Sequence, residues 1–117
     1  MSVKKLVKIM KSLSDPTRLK IVKMLQHKTL CVCEIQAALG QSQPNVSKHL
    51  KILQEAGLVE SRKDGLWVNY ALASTGRDDL YVATLLRNME GWLEDDPEMR
   101  AILQKIQFVD RVTLCRG

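Results

Sequence analysis

The stretch from residue 39 to residue 72 constrains this chain more than any other. A helical run closes at Gly40, a left-handed C-cap, and after the short turn Gly40-Gln41-Ser42 a second helical run begins. Ser42 suits the N-cap and Pro44 the first turn of that run, while Val46, Leu50 and Leu53 keep its apolar period. Gly57 ends it. Two extended runs follow, 58–62 and 66–72, joined by Lys63-Asp64-Gly65; an Asp-Gly pair between extended runs is a strong hairpin signal. Helices separated by so short a glycine turn must cross at a steep angle, with the second presented outward and the first bracing it.

The remaining segments read as helices. Val3, Leu6, Val7, Met10 and Leu13 recur at helical spacing, with Lys4, Lys8 and Lys11 on another face. Asp15-Pro16 starts a second helix, with Leu19, Ile21, Val22 and Leu25 in its buried stripe and an end near 26–28. The third occupies 30–39 and turns Ile35, Ala38 and Leu39 inward. Beyond Ser74-Thr75-Gly76, Leu80, Ala83, Leu86 and Leu93 mark a long fifth helix, and Asp96-Pro97 opens a last one carrying Met99, Ile102, Leu103 and Ile106. The 117 residues therefore form one domain, mainly α with a small β-hairpin wing: a winged helix-turn-helix. Its helix-turn-helix spans about 31–56 and its wing about 58–72. Helices at about 3–13 and 77–106 hold more apolar surface than a small wing needs, and are assigned to a two-fold dimer interface.

Composition narrows the function. The chain is 45% hydrophobic but only 4% aromatic, which suits an aliphatic helical core, and every apolar run is broken by charge before it could span a bilayer. No cleavable leader is visible, so a cytoplasmic protein is expected, and three cysteines, an odd number, are expected to be reduced thiols. Residues 1–28 carry a net +7 and the rest −2, a balance that suits a polyanion, although lysine-rich helices are often only solvated faces. No Ser/His/Asp set, paired carboxylates or phosphate-cradling glycine loop points to an enzyme.

On the fourth helix Val46, Leu50 and Leu53 claim the inner face, which leaves Gln43, Asn45, Ser47, Lys48 and Lys51 outward. Gln and Asn suit adenine edges, Ser either base or backbone, and Lys guanine or phosphate. Arg62 and Lys63 near the hairpin tip suit a flanking phosphate or the minor groove. Double-stranded operator DNA is the expected partner. One such helix reads few base pairs, so specific affinity calls for two copies on adjacent half-sites.

LSDPTRLKIVKML (13–25) and CVCEIQAALGQSQPNVSKHLKILQEAGLVESRKDGLWVNYAL (31–72) together resemble the ArsR/SmtB metalloregulatory repressors, over most of the chain. Cys-Val-Cys at the start of the third helix is similar to the arsenical-resistance branch. The resemblance implies a homodimer that binds its operator without ligand and leaves it when a toxic ion binds. Some arsenical repressors carry a further cysteine three residues on, where this chain has Gln36. The zinc-sensing branch uses histidines on the fifth helix, and residues 78–96 contain none.

Residues i and i+2 of a regular helix lie about 200° apart and cannot share one ion. Cys31-Val32-Cys33-Glu34, however, has the pattern of a capping box with Cys31 in place of Ser or Thr, so Cys31 stands outside the helix and can turn toward Cys33. A helix N-terminus should also depress the thiol pKa. Soft thiolates select soft ions: arsenite, antimonite, cadmium or lead. Trivalent arsenic prefers three thiolates, and Cys115 either completes the set or is an uninvolved tail residue. The plain alternative is two small apolar residues at a helix start, but cysteine caps poorly and has no evident structural return there. His27 and His49 are given no metal role. The expected function is thus an As(III)- or Sb(III)-released repressor that needs no cofactor to bind DNA. The alternatives are a cadmium- or lead-responsive repressor, or a redox- or persulfide-sensing repressor of the same fold.

Overall fold

A computed structural model describes residues 2–74 and 80–109. In chain order its elements are α1 (Val3–Ser12), α2 (Pro16–His27), β1 (Leu30–Cys31), α3 (Val32–Leu39), α4 (Gln43–Glu55), β2 (Val59–Asp64), β3 (Trp67–Leu72), α5 (Leu80–Met89) and α6 (Pro97–Phe108). Local cap chemistry sets most of the starts. Asp15, Ser42 and Asp96 have extended backbones, and their side-chain oxygens accept the backbone N–H groups of Arg18, Asn45 and Met99 at 3.1, 3.3 and 2.9 Å. At the far end of α3, Gly40 takes a left-handed conformation (φ 67°) and donates to the Gln36 carbonyl, which turns the chain into α4. One core joins these elements. Ile21, Val22 and Met24 of α2, Ile35 of α3 and Val46, Leu50 and Leu53 of α4 meet Leu58 and Val59 at the foot of the wing.

Two expectations need correction. The third helix does not begin at residue 30. Leu30 and Cys31 form a short strand that pairs antiparallel with β3 (Leu30 opposite Tyr70, Cys31 opposite Asn69), so the wing is a three-stranded sheet in the order β1-β3-β2. The fifth helix does not run on through Leu93. Its predicted start at 77–79 lies outside the described residues, and it ends at Met89, before Gly91 (φ 84°) and Leu93 (φ 64°) turn the chain toward α6. The stop comes from α2: Lys23 Nζ donates to the Met89 carbonyl at 2.7 Å and Gln26 Nε2 to the Leu86 carbonyl at 3.0 Å, capturing oxygens at the α5 terminus. Helix α6 then buries Met99, Ile102 and Ile106 within the protomer, against α2 and α3.

The basic N-terminal region divides in the same way. Lys23 is fully buried, Lys28 Nζ donates to the Ile106 carbonyl at 3.0 Å, and Lys20 pairs with Glu98. Lys20, Lys23 and Lys28 are therefore engaged within the protomer, and among the cations of this region the lysines of α1 and Lys28 are exposed. On α1 Ile9 is buried, while Val3, Val7 and Met10 are exposed along one side. No helix among the described residues is long and apolar enough to cross a membrane.

Candidate nucleic-acid interface and thiol site

The sequence placed Gln43, Asn45, Ser47, Lys48 and Lys51 on the outer face of α4, and all five are exposed while Val46, Leu50 and Leu53 are fully buried beneath them. Arg62 and Lys63 are exposed on β2, beside the turn in which Gly65 takes a positive φ (61°). Among the described residues Arg62 pairs with Glu60, at 3.9 Å across exposed surface, a contact worth little in water. All seven side chains are therefore accessible to a polyanion.

Sequence reasoning missed the frame that holds α4 in place. The Arg18 guanidinium donates from Nε to the Ser12 carbonyl at 2.7 Å and from an Nη to the Lys11 carbonyl at 3.4 Å; its other Nη lies 3.2 Å from His49 Nδ1 on α4. One side chain thus ties the end of α1 and the start of α2 to the outward-facing helix. His49 is structural, as is His27, which meets Glu94 at 3.0 Å. No period or cap signals such a bridge; only the fixed fork of an arginine beside a helix start hints at it.

The thiols stand where the wing meets the bracing helix. Cys31 has an extended backbone (φ −90°, ψ 169°), as its capping position required, and its N–H donates to Glu34 Oε1 at 2.9 Å. Both residues are buried. The thiol faces the Glu34 N–H, where sulfur is a weak acceptor. Contrary to the expected depression, its pKa is raised above the usual 9.0. Burial is the main cause; the Glu34 carboxylate adds to it, and the Glu34 N–H opposes it. Cys31 keeps its thiol. Cys33, half-buried in the first turn of α3, is disulfide-bonded, against the expectation of three reduced thiols. Cys115 lies outside the described residues. Among those described, no three His, Cys, Asp or Glu groups gather as a metal site. In reduced protein at pH 7, Cys31 should react with iodoacetamide at least about tenfold more slowly than a small free thiol. Mass spectrometry of timed samples checks this; labelling at the free-thiol rate would contradict the burial.

A bracing helix, a short turn, an outward helix with a polar face and a three-stranded wing define a winged helix-turn-helix regulator of transcription. The chain belongs to the arsR family of bacterial regulatory proteins, whose model matches residues 15–61. It is 38% identical over 101 residues to the arsenical resistance operon repressor of Escherichia coli, covering 86% of this chain and 83% of that one. The homodimeric winged helix-turn-helix DNA-binding domain of a possible ArsR-family regulator from Mycobacterium bovis aligns with a TM-score of 0.65 at 30% identity, covering 75% and 77%. Reduced HlyU from Vibrio cholerae aligns with a TM-score of 0.63 at 33% identity, covering 74% and 86%. The chain is a transcriptional repressor of this family and not an enzyme.

Proposed function

We propose that two copies of this chain hold operator DNA in the cytoplasm through α4 and the wing, and release it when As(III) or Sb(III) is bound by the thiols of Cys31 and Cys33. The position of Cys31 carries this reading. It opens α3, which packs on α4, and it pairs across the sheet with Asn69, whose other neighbour is Arg62. The thiol residue is thus two strands, roughly 10 Å, from a side chain proposed to touch DNA. Drawing Cys31 toward Cys33 would pull on both the helix and the wing. Release follows only if the ion binds the shifted shape better than the DNA-bound one.

The raised pKa of Cys31 favours arsenite over divalent ions. Arsenous acid is neutral, and each exchange of As–OH with a thiol gives As–S and one water with no net charge to bury. Cadmium or lead would require buried thiols to lose protons. Exposed Val3, Val7 and Met10 on α1, with Leu80 and Tyr81 on α5, supply apolar surface for the two-fold contact. The 13.3 kDa chain should then sediment as a dimer of about 27 kDa. A redox-sensing repressor is the second reading, favoured by the Cys33 disulfide. Peroxide in place of arsenite would then release DNA. Cys115→Ser separates a three-thiolate site, where arsenite release is lost, from a pair that suffices.

Binding of labelled promoter DNA tests the DNA half. Lys48→Ala should weaken binding alike on all sequences and flatten its salt dependence by about one phosphate contact, whereas Asn45→Ala should relax preference at one base pair. Unchanged binding by both variants would move the DNA surface elsewhere.

A further inference from the structure

At the start of α4 a chain of three side chains runs from α2 to the DNA-facing surface. Gln41, in the turn after Gly40, donates from Nε2 to Thr17 Oγ1 at 3.1 Å, and its Oε1 accepts a hydrogen bond from Asn45 Nδ2. Thr17 and Gln41 are half-buried; Asn45 is exposed. The Asn45 backbone is held as well, since its N–H donates to Ser42 Oγ at 3.3 Å. From these contacts we infer that Gln41 and Thr17 are specificity-determining positioning residues: they fix which way the Asn45 amide faces the DNA. The inference rests on the reading of Asn45 as a base contact.

The reasoning is one of donors and acceptors. An asparagine amide has one oxygen and two N–H protons, and its value against adenine lies in offering both together, N–H to N7 and oxygen to the N6 amino group. An unsupported amide can turn over and present them in the wrong order. In the structure Gln41 turns its nitrogen end to Thr17 Oγ1 and its oxygen end to Asn45, where Oε1 accepts a hydrogen bond from one of the two amide N–H groups. The second proton and Oδ1 keep the order adenine needs. Neither Gln41 nor Thr17 has to touch DNA for this. The predicted signature is a change in preference at one base pair while other positions and the salt dependence stay put.

The preferred duplex is first selected by the wild-type protein from a pool of randomised double-stranded DNA. Affinities for it and for each single-base variant are then measured with reduced wild-type protein and with Asn45→Ala, Gln41→Leu, Gln41→Glu, Thr17→Val and Thr17→Ser. Discrimination is a ratio within one variant, so a change in the folded fraction cancels. Gln41→Leu should lose about tenfold in discrimination at the base pair that Asn45→Ala relaxes, and nowhere else. Thr17→Val should lose less at the same place. Thr17→Ser keeps the hydroxyl and should behave as wild type. Gln41→Glu keeps an acceptor for Asn45, toward which the Thr17 hydroxyl can turn as donor, so preference should persist while affinity falls uniformly through repulsion of phosphate. Wild-type discrimination by Gln41→Leu and Thr17→Val at the position relaxed by Asn45→Ala would overturn the positioning role alone. An Asn45→Ala variant with unaltered preference at every position would overturn the base-contact reading and the positioning role with it.

Discussion

Cys31→Ser should bind operator DNA as the wild type does and should no longer release it when arsenite or antimonite is added. Serine fits the position, because it is the stronger N-cap and its oxygen can accept the Glu34 N–H that sulfur holds weakly. Folding should be unchanged or improved, by about 0.5–1 kcal/mol. Release should fail because one remaining local thiol cannot chelate. The effect is all-or-none over the range where wild-type protein responds, and Cys33→Ser should behave alike. Fluorescence anisotropy of a labelled duplex during an arsenite titration, after reduction of the Cys33 disulfide, reads both properties at once. Normal release by both variants would place the inducer site elsewhere and leave the fold and the DNA surface as described.

The second large effect concerns stability. Lys23 is wholly buried, with its ammonium donating to Gln26 Oε1 at 2.6 Å and to the Met89 carbonyl at 2.7 Å. Lys23→Ala removes the charged donor from the end of α5 and opens a cavity along its aliphatic stem. A loss of about 2–4 kcal/mol is expected, a fall in Tm on the order of 10–20 °C. Lys23→Met keeps the stem and removes the cost of burying a charge, so about 1 kcal/mol or less should be lost. Thermal unfolding of both variants checks the ordering; an alanine variant as stable as the methionine one would contradict it. The pH dependence has a definite sign. Burial lowers the Lys23 pKa below 10.5, against the opposing pull of Glu94 and Glu90. The unfolded chain therefore holds its proton to higher pH, and the stabilisation from this group is complete above 10.5 and is lost as pH falls through the folded value. Stability of the wild type should rise across that alkaline window relative to Lys23→Met.

What was legible in the sequence was local. Asp15 with Pro16, Ser42 with Pro44, and Asp96 with Pro97 announce helix starts because a cap needs only its own next three residues. The outward face of α4 was legible because Val46, Leu50 and Leu53 fix its rotation. What distant residues decide was not legible. Leu30 and Cys31 become a strand only because β3 lies beside them, and α5 stops at Met89 because Gln26 and Lys23, 60 and 66 residues away from the carbonyls they bind, capture its end. The Cys31 thiol shows the same conflict at one atom: the rule that helix starts acidify thiols is outweighed by burial and the Glu34 carboxylate. The bridges from Arg18 to His49 and from Thr17 through Gln41 to Asn45 likewise join segments that no periodicity connects.

The most direct test is a titration of arsenite into the reduced wild-type protein bound to its selected duplex, with DNA release and arsenic coordination followed on the same samples. Release should track thiol binding and saturate near one arsenic per site, with sulfur replacing oxygen around arsenic in its X-ray absorption spectrum. Arsenic bound through sulfur while the protein stays on DNA, or release with oxygen ligands retained, would contradict the proposed switch.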